Sequence, residues 1–147
     1  MPRLTFSSDQ QAHKNLSERA QNRRSLLITQ AYGRLIRFDV YLARRNFAAL
    51  HQKIRAHRVA RQAQVPGMVE RVCSAMDLAC IWYWKEVLCL QRSAATTCLL
   101  RDYGIPAEMV VGAQQLPFQA HAWVEVAGRV VNDRPYVPDI YTVLDRC

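Results

Sequence analysis

Apolar side chains in the first half of the chain recur at the spacing of an α-helix. Between about residue 17 and residue 45 they stand three or four positions apart, at Leu26, Leu27, Ala31, Leu35, Phe38 and Leu42. Residues 47–64 repeat this pattern, which then breaks at Pro66 and Gly67. A further apolar stripe predicts a third helix from residue 68 to about residue 83. The first half is therefore predicted to be helical, with the proline–glycine break as a linker.

The second half combines one helix with short strands. Residues 89–104 again show helical spacing, and Gly104 followed by Pro106 is a typical helix stop. Two valine-containing runs, 107–112 and 120–126, follow and are typical of strands. This order of elements predicts an α+β fold, in which a helix packs on a small antiparallel sheet.

A turn after the second strand decides which residues face each other. A three-residue loop with Gly128 at its third position would pair His121 with Asp133 on one face of the sheet. A two-residue loop would shift the register by one and place Asp133 on the opposite face. We expect the three-residue loop, and with it a carboxylate that orients the histidine.

Cys89 is predicted at the head of the helix that precedes the strands. Unpaired N–H groups at a helix N-terminus stabilise a thiolate and could also stabilise an oxyanion. The alternative is that Cys89 is a buried packing residue and that His121 is a satisfied strand histidine. The order cysteine, histidine, aspartate favours nucleophilic catalysis, with Cys89, His121 and Asp133 as a triad.

Positive charge is concentrated in the helical part. The net charge is +8, and residues 1–62 hold 13 Lys+Arg against 3 Asp+Glu, whereas the remainder holds 7 against 9. We expect a basic helical region over residues 1–65 and a core over residues 66–147, packed as one compact unit. The basic region is a solvated helix face, a nucleic-acid surface or a docking surface for an acidic protein. Aromatic residues do not alternate with the arginines, which disfavours nucleic acid.

The cysteines and the apolar runs limit the compartment. Five cysteines lack the spacing of a zinc site or a disulfide framework, so we expect no metal, no cofactor and a reduced, cytoplasmic protein. No apolar run approaches the roughly 20 residues that span a bilayer. The N-terminus has no secretion signal.

Several motifs carry a resemblance to a known family over roughly residues 70–140. They are Cys-Leu-x-Arg-Ser at 89–93, Leu-Leu-Arg-x-x-Gly-Ile-Pro-Ala at 99–107, Pro-Phe-x-Ala-His-Ala-Trp-Val-Glu at 117–125, and then Gly128 and Asp133. This set resembles the leader peptidases of lasso-peptide biosynthesis, which belong to the transglutaminase-like, papain-related superfamily of cysteine enzymes.

The resemblance implies a papain-like core and hydrolysis of a ribosomally made precursor peptide. Cys89 would be the nucleophile, His121 the general base and acid, and Asp133 the orienting carboxylate. The leader would be delivered by a separate small winged-helix recognition protein, and an ATP-using cyclase would close the released core. No glutamine precedes Cys89 to supply the second oxyanion donor, which stays unassigned.

Five further residues are candidates for substrate contact: Arg92, Ser93, Pro117, Phe118 and Trp123. Each has a structural alternative, as a helix-capping, loop-stiffening or core residue. Two other functions stay open. One is acyl transfer on the same triad, as in transglutaminases, and the other is a non-catalytic basic adaptor that binds nucleic acid or an acidic protein.

Overall fold

A computed structural model describes residues 6–147, with side chains from residue 10 onwards. Its helices are α1 Phe6–Ala43, α2 Phe47–Ala56, α3 Met68–Ile81, α4 Cys89–Asp102 and α5 Val137–Ile140. Its strands are β1 Ala107–Gln115, β2 Phe118–Val126, β3 Arg129–Val130 and β4 Thr142–Arg146. The predicted α+β fold is confirmed. Within the described range, no helix is both long and apolar enough to cross a membrane.

The end of α2 differs from the sequence prediction, which extended this helix to residue 64. The buried guanidinium of Arg101 donates to the carbonyl of Ile54 at 2.7 Å and to that of His57 at 3.1 Å. Both carbonyls lie at the helix end, where intrahelical partners run out, and the Ile54 carbonyl also accepts the His57 N–H at 3.1 Å. Arg101 therefore stabilises the end of α2, and the chain continues in extended form across the end of α4, where the Ala60 N–H donates to the Arg101 carbonyl at 2.8 Å.

The turn between α1 and α2 contains a left-handed residue and a helix cap. Arg45 adopts the left-handed conformation, with φ of 50°. Asn46 caps α2, because its Oδ1 accepts a hydrogen bond from the Ala49 N–H at 3.0 Å.

The central element of the core is α4. Its residues from 93 to 101 are all buried, between α1 and α3 on one side and the sheet on the other. Small side chains such as Ala94, Ala95 and Thr96 allow these neighbours to approach closely. One apolar cluster includes Leu35 and Phe38 of the helical region and other residues beyond position 65. The division into regions 1–65 and 66–147 stays a prediction.

The sheet is antiparallel with the strand order β3-β2-β1-β4. In the long β1–β2 hairpin, Gly112 stands opposite His121. The last part of the chain consists of α5 and then β4, which pairs with β1. The C-terminal residue extends this pairing, because Cys147 and Met109 exchange backbone hydrogen bonds of 2.9 and 2.7 Å.

The predicted three-residue loop after β2 is wrong. Val126 pairs with Arg129 and Glu125 with Val130, so the loop contains only Ala127 and Gly128. Both loop residues have positive φ, 50° and 74°. Two successive left-handed residues form the tight turn that matches the twist of a hairpin. The expected pairing of Glu125 with Arg129, and with it the ladder pairing of His121 with Asp133, does not form.

Candidate active site

Asp133 nevertheless reaches His121, because the chain leaves the ladder before that position. The Val131 N–H still donates to the Val124 carbonyl at 2.9 Å. The Val124 N–H, however, donates to the side-chain Oδ1 of Asn132 at 2.7 Å, and the chain bends over residues 131–133. The bend turns Asp133 towards β2, where its Oδ2 lies 2.7 Å from Nε2 of His121. A bend therefore brings together His121 and Asp133, which were expected from the sequence to meet through strand pairing.

The Asp133 carboxylate is held from two sides. Its Oδ1 accepts the Arg134 N–H at 2.7 Å, while Oδ2 contacts the His121 ring. Burial raises the pKa of the Asp133 carboxyl, but the hydrogen bonds from the Arg134 N–H and the His121 ring outweigh it and hold that pKa below its ordinary value. Asp133 is therefore ionised at neutral pH and can fix the orientation of the imidazole.

Aromatic rings surround His121. The ring centroid of Tyr141 lies 5.2 Å away and that of Trp123 lies 6.3 Å away. Trp123 is fully buried and donates from its indole N–H to Glu125 at 2.8 Å, and Glu125 in turn pairs with Arg146 at 2.7 Å. These contacts leave the imidazole few ways to move. The sequence did not single out Tyr141, since no pattern relates position 141 to His121.

Gly112 makes room for this packing. A Cβ atom at Gly112 would lie 2.9 Å from the Trp123 ring, 2.9 Å from the Tyr141 side chain and 3.0 Å from the Thr142 carbonyl. Such distances are too short for any side chain. The glycine opposite His121 therefore allows both aromatic residues to lie beside the histidine.

Cys89 is the first residue of α4, as predicted, and is partly exposed. The N-cap residue, Leu88, offers no side-chain acceptor to the N–H groups of the first turn. These groups are therefore free of side-chain caps beside the Cys89 thiol, where they can stabilise negative charge.

Four other cysteines have thiols with a raised pKa. Burial raises the pKa of Cys73 and that of Cys98 to about 11. Burial also raises the pKa of Cys80 and that of Cys147. These four thiols are protonated at neutral pH, which suits a packing role and disfavours nucleophilic attack.

The helix of Cys89 packs directly on the strand of His121. Ser93, one helical turn after Cys89, donates its hydroxyl to the Ala122 carbonyl at 2.9 Å. Ala122 is the residue next to His121. The fold thus holds the start of α4, the histidine strand and the Asp133 bend against one another.

Comparison with known proteins places the chain in a family. Residues 32–146 match the transglutaminase-like superfamily. The chain belongs to this superfamily. It is also similar to the microcin J25-processing protein McjB of Escherichia coli, with 41% identity over 56 residues. That segment covers 38% of this chain and about a quarter (27%) of the relative's length. No solved structure gives a significant match. The resemblance inferred from the motifs is thereby confirmed.

The five candidates for substrate contact occupy different environments in this transglutaminase-like fold. Ser93 and Trp123 are buried and bond to neighbouring elements. Arg92 pairs with Asp77 of α3. Pro117, which follows a cis peptide bond, and Phe118 lie at the β1–β2 hairpin turn, where Phe118 is 79% exposed. The contacts favour packing roles for Ser93 and Trp123 and leave Pro117 and Phe118 accessible to a ligand.

The loop that precedes Cys89 exposes further apolar side chains. Trp82, Trp84 and Leu88 are all more than half exposed. Asp39 of α1 anchors the loop, because it pairs with Lys85 at 2.6 Å and accepts from the Tyr83 hydroxyl at 3.3 Å. Sequence reasoning did not select these tryptophans, although two such residues next to a nucleophile were a usable signal.

Proposed function

We propose that this protein is a cysteine peptidase in which Cys89, His121 and Asp133 act together. The observation that carries the proposal is the 2.7 Å contact between His121 and Asp133, beside the helix that begins at Cys89. Membership of the transglutaminase-like superfamily supports the same assignment.

The reaction follows from the roles of these three residues. His121 takes the proton of Cys89, and the thiolate attacks the peptide carbonyl while first-turn N–H groups of α4 stabilise the oxyanion. The C–N bond then breaks, and His121 returns the proton to the leaving amine, which leaves a thioester on Cys89. Water, deprotonated by His121, hydrolyses the thioester and restores the thiol.

The proposed substrate is a ribosomally made precursor peptide, cut between its leader and its lasso core. The Escherichia coli relative is named for the processing of microcin J25, which supports this class of substrate. The leader would be delivered by a separate winged-helix recognition protein, and a partner cyclase would use the released core. We accordingly expect the enzyme to work in the cytoplasm, where such a precursor is made.

A groove between α1 and α3 supports docking of an acidic partner. Its volume is about 630 Å³, and its lining combines apolar residues with four arginines and one glutamate. The lining includes Leu16, Ala20, Leu27, Arg19, Arg23, Arg24, Arg71 and Glu70. Apolar contacts and positive charge together suit the leader or its recognition protein better than a nucleic-acid backbone.

Cleavage by an Arg19→Glu/Arg23→Glu variant should show a higher KM and less dependence on salt, with kcat retained. An unchanged KM would remove the groove from the docking path.

The decisive test is mass spectrometry of a precursor peptide incubated with this protein and the recognition protein. Wild type should cut one bond, Cys89→Ala and His121→Ala should not, and Asp133→Ala should cut slowly. Cys80→Ser is the matched control, since Cys80 lies on α3 and its pKa is raised by burial, and it should cut normally. Equal cleavage by Cys89→Ala would exclude the peptidase and favour a non-catalytic adaptor.

Acyl transfer is the second candidate, because the transglutaminase-like superfamily match fits that chemistry as well. An amine acceptor added to the same reaction separates the two functions. A transferase would form an amide between the acyl group and the amine, whereas a peptidase yields only the hydrolysed leader and the free core.

A further inference from the structure

A continuous chain of buried hydrogen bonds runs between α4, β2 and the bend that follows β3. The Val124 N–H donates to Oδ1 of Asn132 at 2.7 Å, and Nδ2 of Asn132 donates to the Ser93 hydroxyl at 3.1 Å. The Ser93 hydroxyl then donates to the Ala122 carbonyl at 2.9 Å. We call this set, made of the two side chains Ser93 and Asn132 with the two backbone groups of β2, the buried bridge.

The buried bridge meets each segment next to a member of the proposed triad. Ser93 lies one helical turn after Cys89, on the same side of α4. Ala122 directly follows His121, and the bridge asparagine directly precedes Asp133. The three segments that must be held in register are thus joined within one residue or one turn of each reacting or orienting group.

We propose that Ser93 and Asn132 are positioning residues that set the distance and orientation of Cys89 relative to the His121–Asp133 pair. This inference rests on the proposed peptidase function and adds two residues to it. Ser93 is 1% exposed and Asn132 is 7% exposed, so neither acts by touching the peptide. A buried network whose members are bonded to one another resists displacement, and small displacements of reacting groups are costly.

The chemistry of the two side chains fits this role. An asparagine amide supplies an acceptor and a donor at once, which are used here for the Val124 N–H and for Ser93. An aspartate at 132 would keep the acceptor but lose the donor. Alanine at Ser93 would keep the bond between Asn132 and Val124 and detach only the helix. Both substitutions therefore break the link between Asn132 and α4 while the bend keeps its bond to Val124, and only Ser93→Ala also removes the bond to Ala122.

The test measures alkylation of Cys89 by iodoacetamide against pH, with mass spectrometry to assign the modified cysteine. It uses the full chain as wild type, His121→Ala, Ser93→Ala and Asn132→Asp. Thr97→Val is the matched control, because Thr97 is a buried α4 residue whose hydroxyl has no hydrogen-bond partner among the described residues. Melting temperatures are recorded for every variant, and kcat and KM for precursor cleavage are measured in parallel.

In wild type, the rate of Cys89 alkylation should change in a step as the pH is varied, and His121→Ala should remove that step. Ser93→Ala and Asn132→Asp should each lower the alkylation rate over the pH range of that step on the order of tenfold. In precursor cleavage, both variants should lower kcat and retain KM. Thr97→Val should stay within about twofold of wild type. If Asn132→Asp does not fold, Ser93→Ala carries the test alone.

Two results would overturn the inference in distinguishable ways. A lower melting temperature with an unchanged alkylation profile in Ser93→Ala would reduce the buried bridge to a stabilising contact. A wild-type profile that His121→Ala does not change would instead remove the proposed catalytic pair, and the positioning role with it.

Discussion

The two ends of α4 each carry a histidine–aspartate pair, and the comparison separates a candidate active site from a structural contact. At the start, where Ser93 bonds to Ala122 of the histidine strand, His121 and Asp133 lie 2.7 Å apart; we call them the active-site pair. At the end, His57 and Asp102 also lie 2.7 Å apart; we call them the helix-end pair. The distance alone does not distinguish the two.

The other contacts of each aspartate do distinguish them. The second carboxylate oxygen of Asp102 accepts a hydrogen bond from the guanidinium of Arg34. Asp102 therefore joins α1 and the end of α2 to α4. Among the residues that the structure describes, the second oxygen of Asp133 accepts a hydrogen bond only from the backbone N–H of Arg134. Asp102 therefore holds three helices together, whereas the one side chain that Asp133 contacts is the His121 imidazole.

The two ends of α4 also differ in the cysteine that each contains. Cys98 lies one turn before Asp102, but it is buried and its pKa is raised to about 11. Cys89 lies at the opposite, N-terminal end, where it is partly exposed and the helix dipole favours negative charge. A short histidine–aspartate contact thus becomes a candidate catalytic pair only where an accessible thiol lies at the positive end of a helix.

The largest expected difference is in activity. Replacing the active-site histidine, as in His121→Ala, should lower kcat for precursor cleavage by roughly 10²–10⁴-fold, because the general base and acid is lost. The matched variant His57→Ala should retain most of the activity and lower the melting temperature. Comparable losses of kcat in both variants, at a temperature where both are folded, would break the comparison.

The second difference is in thiol reactivity. Iodoacetamide should modify Cys89 at least about tenfold faster than Cys98 at pH 8, because the raised pKa of Cys98 leaves little thiolate and burial blocks the reagent. Peptide mapping after short exposures measures both rates in one sample. The difference should vanish in denaturant, and faster labelling of Cys98 in the folded protein would contradict the assignment.

The third difference concerns the aromatic packing around the active-site pair. Gly112→Ala should destabilise the protein by about 1–3 kcal/mol, because its methyl group overlaps Trp123 and Tyr141. Denaturant unfolding measures this loss, and tryptophan fluorescence should change as well. Gly33→Ala is the control, since a Cβ there has open space. An equal effect of both substitutions would mean that the packing beside His121 does not require a glycine.

The smallest expected effect is on stability in acid. The pKa of Asp133 is held below its ordinary value of 3.8, so its contribution to stability is present above that value and is lost as the pH falls through the lower folded pKa. Asp133→Asn should therefore flatten the fall in unfolding free energy below about pH 4. Asp139→Asn, at an exposed position, is the control. A steep fall that persists unchanged in Asp133→Asn would mean that other carboxyls cause it.

Several elements of the fold could be predicted from the sequence because the patterns that indicate them are local. The helical periodicity located α3 and α4 to within about two residues at each end and set Cys89 at a helix start. The two valine-containing runs located β1 and β2, and the motifs identified the superfamily. The predicted turn after β2 was one residue too long. The same sequence is compatible with the two-residue loop Ala127-Gly128 and with a longer loop.

The sequence by itself determined the starts of α3 and α4, the hairpin strands and the order cysteine, histidine, aspartate, because each depends on neighbours within a few positions. Only the tertiary structure decided how Asp133 meets His121, since Asn132 takes the Val124 N–H and bends the chain out of the ladder. It alone also showed Tyr141 against the imidazole and Arg101 at the end of α2. These contacts join residues that are far apart in the chain, and no local periodicity records which distant groups a buried polar side chain will satisfy.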